Sequence, residues 1–266
     1  MVQVAVAQFA SGRDKAQNLA DAQKFVVEAA GRGARLVVLP EYAMFNALTM
    51  DERLVESAER LDGPFVSGLG ETAARHGVHV VVGVNEVVDE PGRISNTLVA
   101  LAPSGEPVAR YSKVHLYDAF GLKESDVVRP GAIDAPQTFE VEGVTFGMQT
   151  CYDLRFPEMT RQLVDAGVDA LALPAQWVPG PLKEDHWRTL VRARAIENTI
   201  YVVAADQCAP NGAGNSMIID PMGVVVASLG EGTGTAAGEV SPDRVAEVRE
   251  KNPALRLRRF GVIPLG

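Results

Sequence analysis

The most informative stretch of the chain is Gly147-Met148-Gln149-Thr150-Cys151-Tyr152-Asp153-Leu154-Arg155-Phe156-Pro157-Glu158. It continues an apolar run from Val144, which predicts a buried strand. It ends where Pro157 can begin a helix, because proline is tolerated in the first helical turn. A cysteine at such a corner is held rigidly, and the backbone N–H groups after it can point at a developing anion. Cys151 is therefore a candidate nucleophile, although most free cysteines are small buried apolar residues.

On either side of this corner, apolar strands alternate with amphipathic helices, and some strands are joined by hairpin turns. Strands are predicted at 2–9, 36–39, 78–84, 97–102, 107–111, 137–141, 144–150, 170–174, 201–206, 216–220 and 224–228, with a last element beginning at 239. Helices are predicted at 14–31, 64–76, 157–167, 182–198 and 242–251. This alternation predicts an α/β protein with mixed sheets and helices outside.

Neither a linker nor a short-period repeat divides the sequence. We therefore expect a single domain over residues 1–266, a length that can bury a substantial core. The tail, from about 252 to 266, is basic and partly apolar. We expect it to pack on the body of the protein or on a partner subunit.

The composition excludes several classes of protein. Because 47% of residues are hydrophobic and 22% are charged, neither disorder nor a coiled coil is expected. The formal net charge is −9 without a block of like charges, which argues against nucleic acid and against a basic membrane surface. We see no apolar run of the roughly 18–20 residues that a membrane helix needs. These features predict a soluble protein.

The cysteine content indicates the compartment and the cofactors. The two cysteines, Cys151 and Cys208, resemble neither a disulfide framework nor a CxxC metal motif. We therefore expect a reducing, cytoplasmic environment, with Cys208 as a structural residue. No cluster with metal-ligand spacing is visible, so we expect neither a metal nor an organic cofactor.

Three polar residues follow predicted strands and together form one chemical set: Glu41, Lys113 and Cys151. A carboxylate base can take the proton of a thiol, and an ammonium group can stabilise both the thiolate and an oxyanion. Each residue also has an ordinary alternative, since Glu41 could be a solvated loop acid and Lys113 a surface ammonium. His115, two residues after Lys113, is either catalytic or a satisfied structural histidine.

Three sequence blocks carry a resemblance to a known family: Leu39-Pro40-Glu41-Tyr42, Tyr111-Ser112-Lys113-Val114-His115-Leu116-Tyr117-Asp118 and the block that begins at Cys151. In this order they resemble the three signature blocks of the nitrilase, or carbon–nitrogen hydrolase, superfamily. The similarity extends from the first strand to about Gly223. It is greatest with the branch of Nit-type amidases that includes ω-amidase and deaminated glutathione amidase.

The resemblance implies a fold and a set of roles. The fold would be a four-layer αββα sandwich, two mixed β-sheets packed face to face with helices outside. Glu41 would be the general base, Lys113 the oxyanion stabiliser and Cys151 the nucleophile. Glu124 would be a second glutamate that orients Lys113 or assists proton transfer. The backbone N–H of Tyr152 would be the second oxyanion donor.

The resemblance also implies a substrate and a partner. The substrate would be a small carboxylate-bearing amide, hydrolysed through a thioester to an acid and ammonia. Gln176 and Trp177 fall in a block similar to the same branch and would be substrate or oxyanion residues. Arg155 could hold a substrate carboxylate, or it could form a structural ion pair. Most members of the family pair through the helices near the site, so we expect a homodimer or a higher homo-oligomer, here through the helices that start at 157 and 182.

Alternative functions remain open from the sequence alone. A nitrile, a carbamoyl amino acid or an aliphatic monoamide would be a substrate of the same chemistry. A protein with this fold could also be an inactive binding or scaffold protein. The predicted loop between Asp118 and Glu124 is shorter than in ω-amidases, and this loop shapes the substrate pocket in the family, so the choice among substrates is where the resemblance says least.

Overall fold

The computed structural model describes residues 1–265, which form twelve strands and six α-helices. The strands are β1 (Val2–Gln8), β2 (Leu36–Val38), β3 (His79–Val87), β4 (Ile94–Leu101), β5 (Pro107–Ser112), β6 (Phe139–Val141), β7 (Val144–Met148), β8 (Ala170–Ala175), β9 (Tyr201–Asp206), β10 (Met217–Ile219), β11 (Val225–Ser228) and β12 (Gly234–Val240). The helices are α1 (Lys15–Gly31), α2 (Glu52–Ser57), α3 (Pro64–His76), α4 (Pro157–Asp165), α5 (Lys183–Asn198) and α6 (Pro242–Lys251). Short 3-10 helices cover Glu124–Asp126 and Cys151–Arg155.

The strands form two six-stranded mixed sheets, with the orders β12-β1-β2-β3-β4-β5 and β11-β10-β9-β8-β7-β6. At the centre of each sheet three strands run parallel, β1-β2-β3 in the first and β7-β8-β9 in the second. The outer pairs are antiparallel. The carboxyl ends of central parallel strands are where α/β proteins tend to bind ligands.

Apolar side chains of both sheets share one core, which shows that the sheets pack face to face. Val6 and Leu36 of the first sheet lie in the same buried cluster as Phe146 and Ala172 of the second. The outer face of the first sheet packs on α1 and α3, and that of the second packs on α4 and α5. The predicted αββα sandwich is confirmed.

Local sequence signals explain where several helices begin and end. Asp14 caps α1 by accepting hydrogen bonds from the N–H groups of the following turn. α3 and α4 each start with a proline, Pro64 and Pro157, as the position of these residues predicts. α3 ends at His76 and is capped by Gly77, whose φ of 65° is left-handed and suits glycine.

The prediction for the last strand is wrong. A final element was expected to begin at residue 239, whereas β12 begins at Gly234 and ends at Val240. Its first half, Gly-Thr-Ala-Ala-Gly, has little intrinsic strand propensity. It is extended because all seven of its residues pair with β1, from Gly234 opposite Gln8 to Val240 opposite Val2.

The tail makes limited contact with the rest of the chain. Arg258 pairs with Asp165 of α4, and Leu255 packs against the core of the second sheet. Leu257 and Phe260 are exposed, the latter to 90%. Gly266, the end of the predicted tail segment, lies outside the described residues. Among residues 1–265, no helix is both long enough and apolar enough to cross a membrane.

Candidate active site

Four segments that follow strands converge on one cavity. Glu41 lies just beyond β2, Lys113 directly after β5, Cys151 beyond β7 and Gln176 directly after β8. All four line this cavity, together with Glu124. The structure therefore brings together the residues that the sequence singled out, across 110 positions from Glu41 to Cys151.

The backbone at Cys151 is strained and firmly supported. Its φ of 44° is left-handed, which costs a non-glycine residue about 1–2 kcal/mol. The carboxylate of Asp153 accepts hydrogen bonds from the backbone N–H of Thr150 at 3.1 Å, the hydroxyl of Tyr111 at 2.6 Å and the N–H of His115 at 3.0 Å. Asp153 thereby ties the cysteine corner to the segment that carries Lys113.

His115 belongs to this support. Its Nδ1 lies 2.9 Å from Oδ1 of Asp153, and its ring stacks on Phe156 at a centroid distance of 3.7 Å. Of the two alternatives left by the sequence, these contacts favour the satisfied structural histidine.

A buried ammonium group joins the two glutamates. Nζ of Lys113 donates to Oε1 of Glu41 at 2.9 Å and to Oε2 of Glu124 at 2.8 Å. All three side chains are at most 2% exposed. Glu124 also accepts hydrogen bonds from the hydroxyl of Tyr42 at 2.7 Å and the backbone N–H of Tyr117 at 2.6 Å. With Lys113 and the side-chain amide of Asn96, four groups donate hydrogen bonds to this glutamate.

Asn96 is a site residue that was not predicted from the sequence. Its Nδ2 donates to Oε1 of Glu41 at 2.7 Å and to Oε1 of Glu124 at 3.1 Å, and the residue is fully buried in β4. The only signal in the sequence is the polar triplet Ser95-Asn96-Thr97 inside a buried strand. A buried amide requires hydrogen-bond partners, and here it finds two carboxylates.

Gly83 was missed as well. A Cβ at this position would lie 2.6 Å from the Cα of Glu41. The N–H of Gly83 donates to the carbonyl of Pro40, and its own carbonyl accepts from the N–H of Ala43. β3 therefore approaches the glutamate segment so closely that only glycine fits.

Burial and charge shift the pKa values of Glu41, Glu124 and Lys113 in different directions. Burial raises the pKa of Glu41, and Lys113 only partly offsets this. Burial also opposes the charge on Glu124, but Lys113 and the hydrogen bonds from Tyr117 and Tyr42 together outweigh it, and the pKa of Glu124 falls. Desolvation works against the ammonium form of Lys113, yet the two carboxylates raise its pKa well above the ordinary range. Lys113 and Glu124 are therefore a stable ion pair, and Glu41 is the more basic carboxylate.

The thiol is protonated in the resting site. Burial, and then the charge of Glu41, raise the pKa of Cys151 well above its ordinary value. Its Sγ donates to the carbonyl of Gln176 at 3.4 Å, while the N–H of Gln176 donates to Oε2 of Glu41 at 2.7 Å. One peptide segment thus contacts both the thiol and the carboxylate. The side chain of Gln176 is engaged elsewhere, since its Oε1 accepts from Asn46.

The cavity above the thiol has a volume of about 320 Å³, which suits a small ligand. Tyr152 and Trp177, both predicted site residues, line it. Two cations line it too, Arg155 and Lys183. The guanidinium carbon of Arg155 lies 4.8 Å from the centre of the Trp177 ring. Its Nη2 is 3.4 Å from Nδ1 of His186.

The structural ion pair considered for Arg155 is not formed. Among the ion pairs of residues 1–265, none includes Arg155 or Lys183. Nε of Arg155 is buried without a hydrogen-bond partner in the described part of the chain. The cavity is therefore lined by two cations that form no ion pair with the described side chains.

Metal ligation is not a feature of the described residues. Across 1–265 there is no group of three or more His, Cys, Asp or Glu side chains arranged to hold an ion. Cys208 is buried, and its Sγ lies 3.4 Å from Oγ1 of Thr233. Both cysteines are free thiols.

The fold and the buried cysteine with its carboxylates and ammonium define a class of hydrolase that acts through a thiol. The model of the carbon–nitrogen hydrolase family matches residues 3–250. The chain belongs to the carbon–nitrogen hydrolase family, and it is a hydrolase that acts on amide C–N bonds.

Individual relatives show to which branch of the family the chain is similar. The deaminated glutathione amidase of Escherichia coli O157:H7 is 42% identical over 257 residues, which cover 97% of each chain. Nit3 of Saccharomyces cerevisiae, a member of branch 10 of the nitrilase superfamily, is 28% identical with a TM-score of 0.85, again over 97% of both chains. The predicted resemblance to the Nit-type branch is confirmed.

A third comparison concerns the chemistry. A mutant amidase from Nesterenkonia sp. AN1 has a TM-score of 0.83 and 25% identity, over 97% of this chain and 94% of that one. In that protein the acetamide moiety of fluoroacetamide is added covalently at the active-site cysteine. These matches confirm the prediction of a cysteine-dependent amidase.

Proposed function

We propose that Cys151 is the nucleophile, Glu41 the general base and Lys113 the oxyanion stabiliser of an amidase for small amides that carry a carboxylate on the acyl side. The observation that carries this proposal is the buried contact of Lys113 with Glu41, at the floor of a cavity that also exposes the Cys151 thiol. Glu124 acts as the positioning residue for Lys113.

The reaction proceeds in two halves. Glu41 takes the thiol proton of Cys151 as Sγ attacks the amide carbon, and the C–N bond then breaks as Glu41 returns that proton to the leaving nitrogen. A thioester remains. Water attacks it, with Glu41 again as the base, and releases the acid and the thiol. Lys113 and the backbone N–H of Tyr152 hold the oxyanion in both halves.

The pKa shifts support this assignment of roles. The raised pKa of Cys151 keeps the resting thiol neutral, so attack requires a base. Glu41 supplies one, because burial raises its pKa and makes it a stronger base than an exposed carboxylate. Glu124, with its lowered pKa, stays ionised and keeps Lys113 protonated.

Deaminated glutathione is the substrate type that fits best. The Escherichia coli relative is named for this compound, in which a 2-oxo acid replaces the γ-glutamyl group. Its amide carbonyl belongs to a short acyl chain that ends in a carboxylate. Arg155 lines the cavity without an ion pair among the described residues, and it offers a guanidinium for that carboxylate. A volume of about 320 Å³ accommodates such an acyl chain.

A substrate panel tests the proposal. Hydrolysis of deaminated glutathione is measured by the release of a new primary amine. Ammonia release measures hydrolysis of the other compounds: α-ketoglutaramate, a simple monoamide, a carbamoyl amino acid and a nitrile. We expect hydrolysis of one or both of the first two compounds. Turnover of only the uncharged monoamide or the nitrile would contradict the carboxylate requirement. If no compound reacts, slow alkylation of Cys151 relative to Cys208 would indicate a scaffold protein.

We further infer that the chain is one domain, acts as a homodimer and works in the cytoplasm. The exposed apolar residues of the tail, Leu257 and Phe260, support a contact with a second subunit, and the two free thiols support a reducing compartment. Light scattering coupled to size-exclusion chromatography tests the dimer, with a tail-truncated variant ending at Lys251 as the comparison. Cell fractionation tests the compartment.

A further inference from the structure

Lys183 is an unusual lysine for its position. It is the first residue of α5, yet it is only 5% exposed. The amino end of a helix is the positive end of its dipole, so a cation there is unfavourable. Burial and the neighbouring Arg155 both lower the pKa of Lys183. A lysine in this place is stabilised neither by solvent nor by the helix.

The contacts of Lys183 hold it in the cavity rather than in an ion pair. Its Nζ donates to the hydroxyl of Tyr117 at 2.9 Å. The same atom lies 4.4 Å from the ring centre of Phe120 and 5.3 Å from that of Trp177. These aromatic faces attract a cation but do not neutralise it. An ammonium group has three protons, and one is used by Tyr117.

Arg155 provides the second half of the site. Its guanidinium carbon lies 5.8 Å from the Phe120 ring and 4.8 Å from the Trp177 ring, so both cations share these two aromatic neighbours. Neither cation forms an ion pair with a carboxylate of the described residues, and two unpaired like charges in one cavity form a site for an anion. Leu48, Met50 and Leu122 also line the cavity, and these apolar side chains suit a short methylene chain.

We propose that Lys183 is a specificity-determining residue that binds the acyl-side carboxylate of the substrate jointly with Arg155. This inference rests on the proposed function, because it assigns a partner to the carboxylate which that function requires. The alternative role of Lys183 is structural. Through the hydroxyl of Tyr117 it could merely fix the loop that leads to Glu124.

Two substrates that differ in one group separate these roles. α-Ketoglutaramate and 4-oxopentanamide differ only in that a methyl group replaces the carboxylate. Lys183→Met should lower kcat/KM for α-ketoglutaramate by roughly 10–100-fold, mainly through KM, because a hydrogen bond to a charged group is lost. It should change kcat/KM for 4-oxopentanamide by less than about threefold. Lys183→Arg, which keeps the charge, should retain part of the preference.

Tyr117→Phe is the matched control, since it removes the hydroxyl and keeps the ring and the lysine. The ratio of kcat/KM for the two substrates should stay near that of the wild type in this variant. If Tyr117→Phe loses the preference as Lys183→Met does, or if Lys183→Met slows both substrates equally, the specificity role is overturned.

A binding measurement makes the result independent of turnover. 2-Oxoglutarate, the acid formed from α-ketoglutaramate, should bind the wild type in calorimetry and bind Lys183→Met roughly 10–100-fold more weakly. Equal affinities overturn the role of Lys183. If the wild type neither prefers α-ketoglutaramate over 4-oxopentanamide nor binds 2-oxoglutarate, the proposed function itself is contradicted. If the wild type shows both the substrate preference and the binding, and Lys183→Met shows them to the same degree, only the inference about Lys183 is contradicted.

Discussion

Replacing Asn96 with leucine should move the acidic limb of the pH profile of kcat/KM. Glu41 must be ionised to act as a base, and burial already raises its pKa above the ordinary 4.5. Nδ2 of Asn96 donates to this carboxylate at 2.7 Å and so favours the ionised form. Leucine has a similar volume and no donor. The pKa of Glu41 should therefore rise further, and the acidic limb should move to higher pH.

The size of the shift follows from the hydrogen bond. A hydrogen bond to a charged group contributes about 1.5–3 kcal/mol, and 1.36 kcal/mol corresponds to one pKa unit. Asn96 divides its donor group between Glu41 and Glu124, and Lys113 and Gln176 still donate to Glu41 in the variant. We therefore expect the ionised form of Glu41 to lose only part of this energy, about 1.4 kcal/mol. At a pH below the limb, kcat/KM should fall about tenfold relative to the wild type.

The assay is the pH profile of kcat/KM for the wild type, Asn96→Leu and Asn85→Leu. Asn85 is the cross-strand neighbour of Asn96, is equally buried, and donates to Ser57 rather than to Glu41. Asn85→Leu should lose stability as a buried amide is removed, but its acidic limb should stay where the wild type has it. An acidic limb that does not move in Asn96→Leu would refute the reasoning, as would equal shifts in both variants.

Other predictions follow from the same contacts. Lys113→Met should lower kcat by at least about 10²–10³, the usual effect of removing one oxyanion donor; a near-normal rate in a folded variant would exclude the role proposed for Lys113. Gly83→Ala should lower the free energy of unfolding by about 1–3 kcal/mol in urea, because its Cβ would overlap the backbone of Glu41. Gly31→Ala, where a Cβ meets no atom within 4 Å, is the control and should be neutral or slightly stabilising. Equal stability of the two glycine variants would show that the close approach at Gly83 is unimportant.

Residues that follow strands could be found from the sequence because their signal is local. An apolar run that turns polar predicts both the strand and the sheet edge, and this made Glu41, Lys113 and Cys151 candidates. The three blocks in their order then gave the family, and with it the two sheets. The helix starts at Pro64 and Pro157 also depend only on nearby residues.

Residues whose role depends on packing between distant segments could not be found in this way. Asn96 matters because the register of β4 puts its amide beside two carboxylates from other segments. Gly83 matters because the backbone of Glu41 passes within 2.6 Å of its missing Cβ. The first half of β12 is extended because β1 pairs with it, not because of its composition. For Lys183 the sequence contains one weak indication, a cation at the amino end of a predicted helix.

In the proposed mechanism, these packing relations explain how a neutral thiol can react. Asp153 holds the strained backbone of Cys151, while Gln176 links the thiol to Glu41 through one peptide segment. The proposed base and nucleophile are thus fixed before substrate arrives, and such preorganisation lowers the cost of reaching the transition state. The proposed carboxylate site would then orient the acyl chain toward the sulfur.

The most direct test of the account is hydrolysis of α-ketoglutaramate and deaminated glutathione by the wild type, Cys151→Ala and Cys208→Ala, with intact mass measured after rapid acid quench. The wild type and Cys208→Ala should hydrolyse at least one substrate at similar rates and carry an acyl adduct that maps to Cys151. Cys151→Ala should do neither. Hydrolysis that persists in Cys151→Ala, or an adduct that maps to Cys208, would contradict the assignment of Cys151 as the nucleophile.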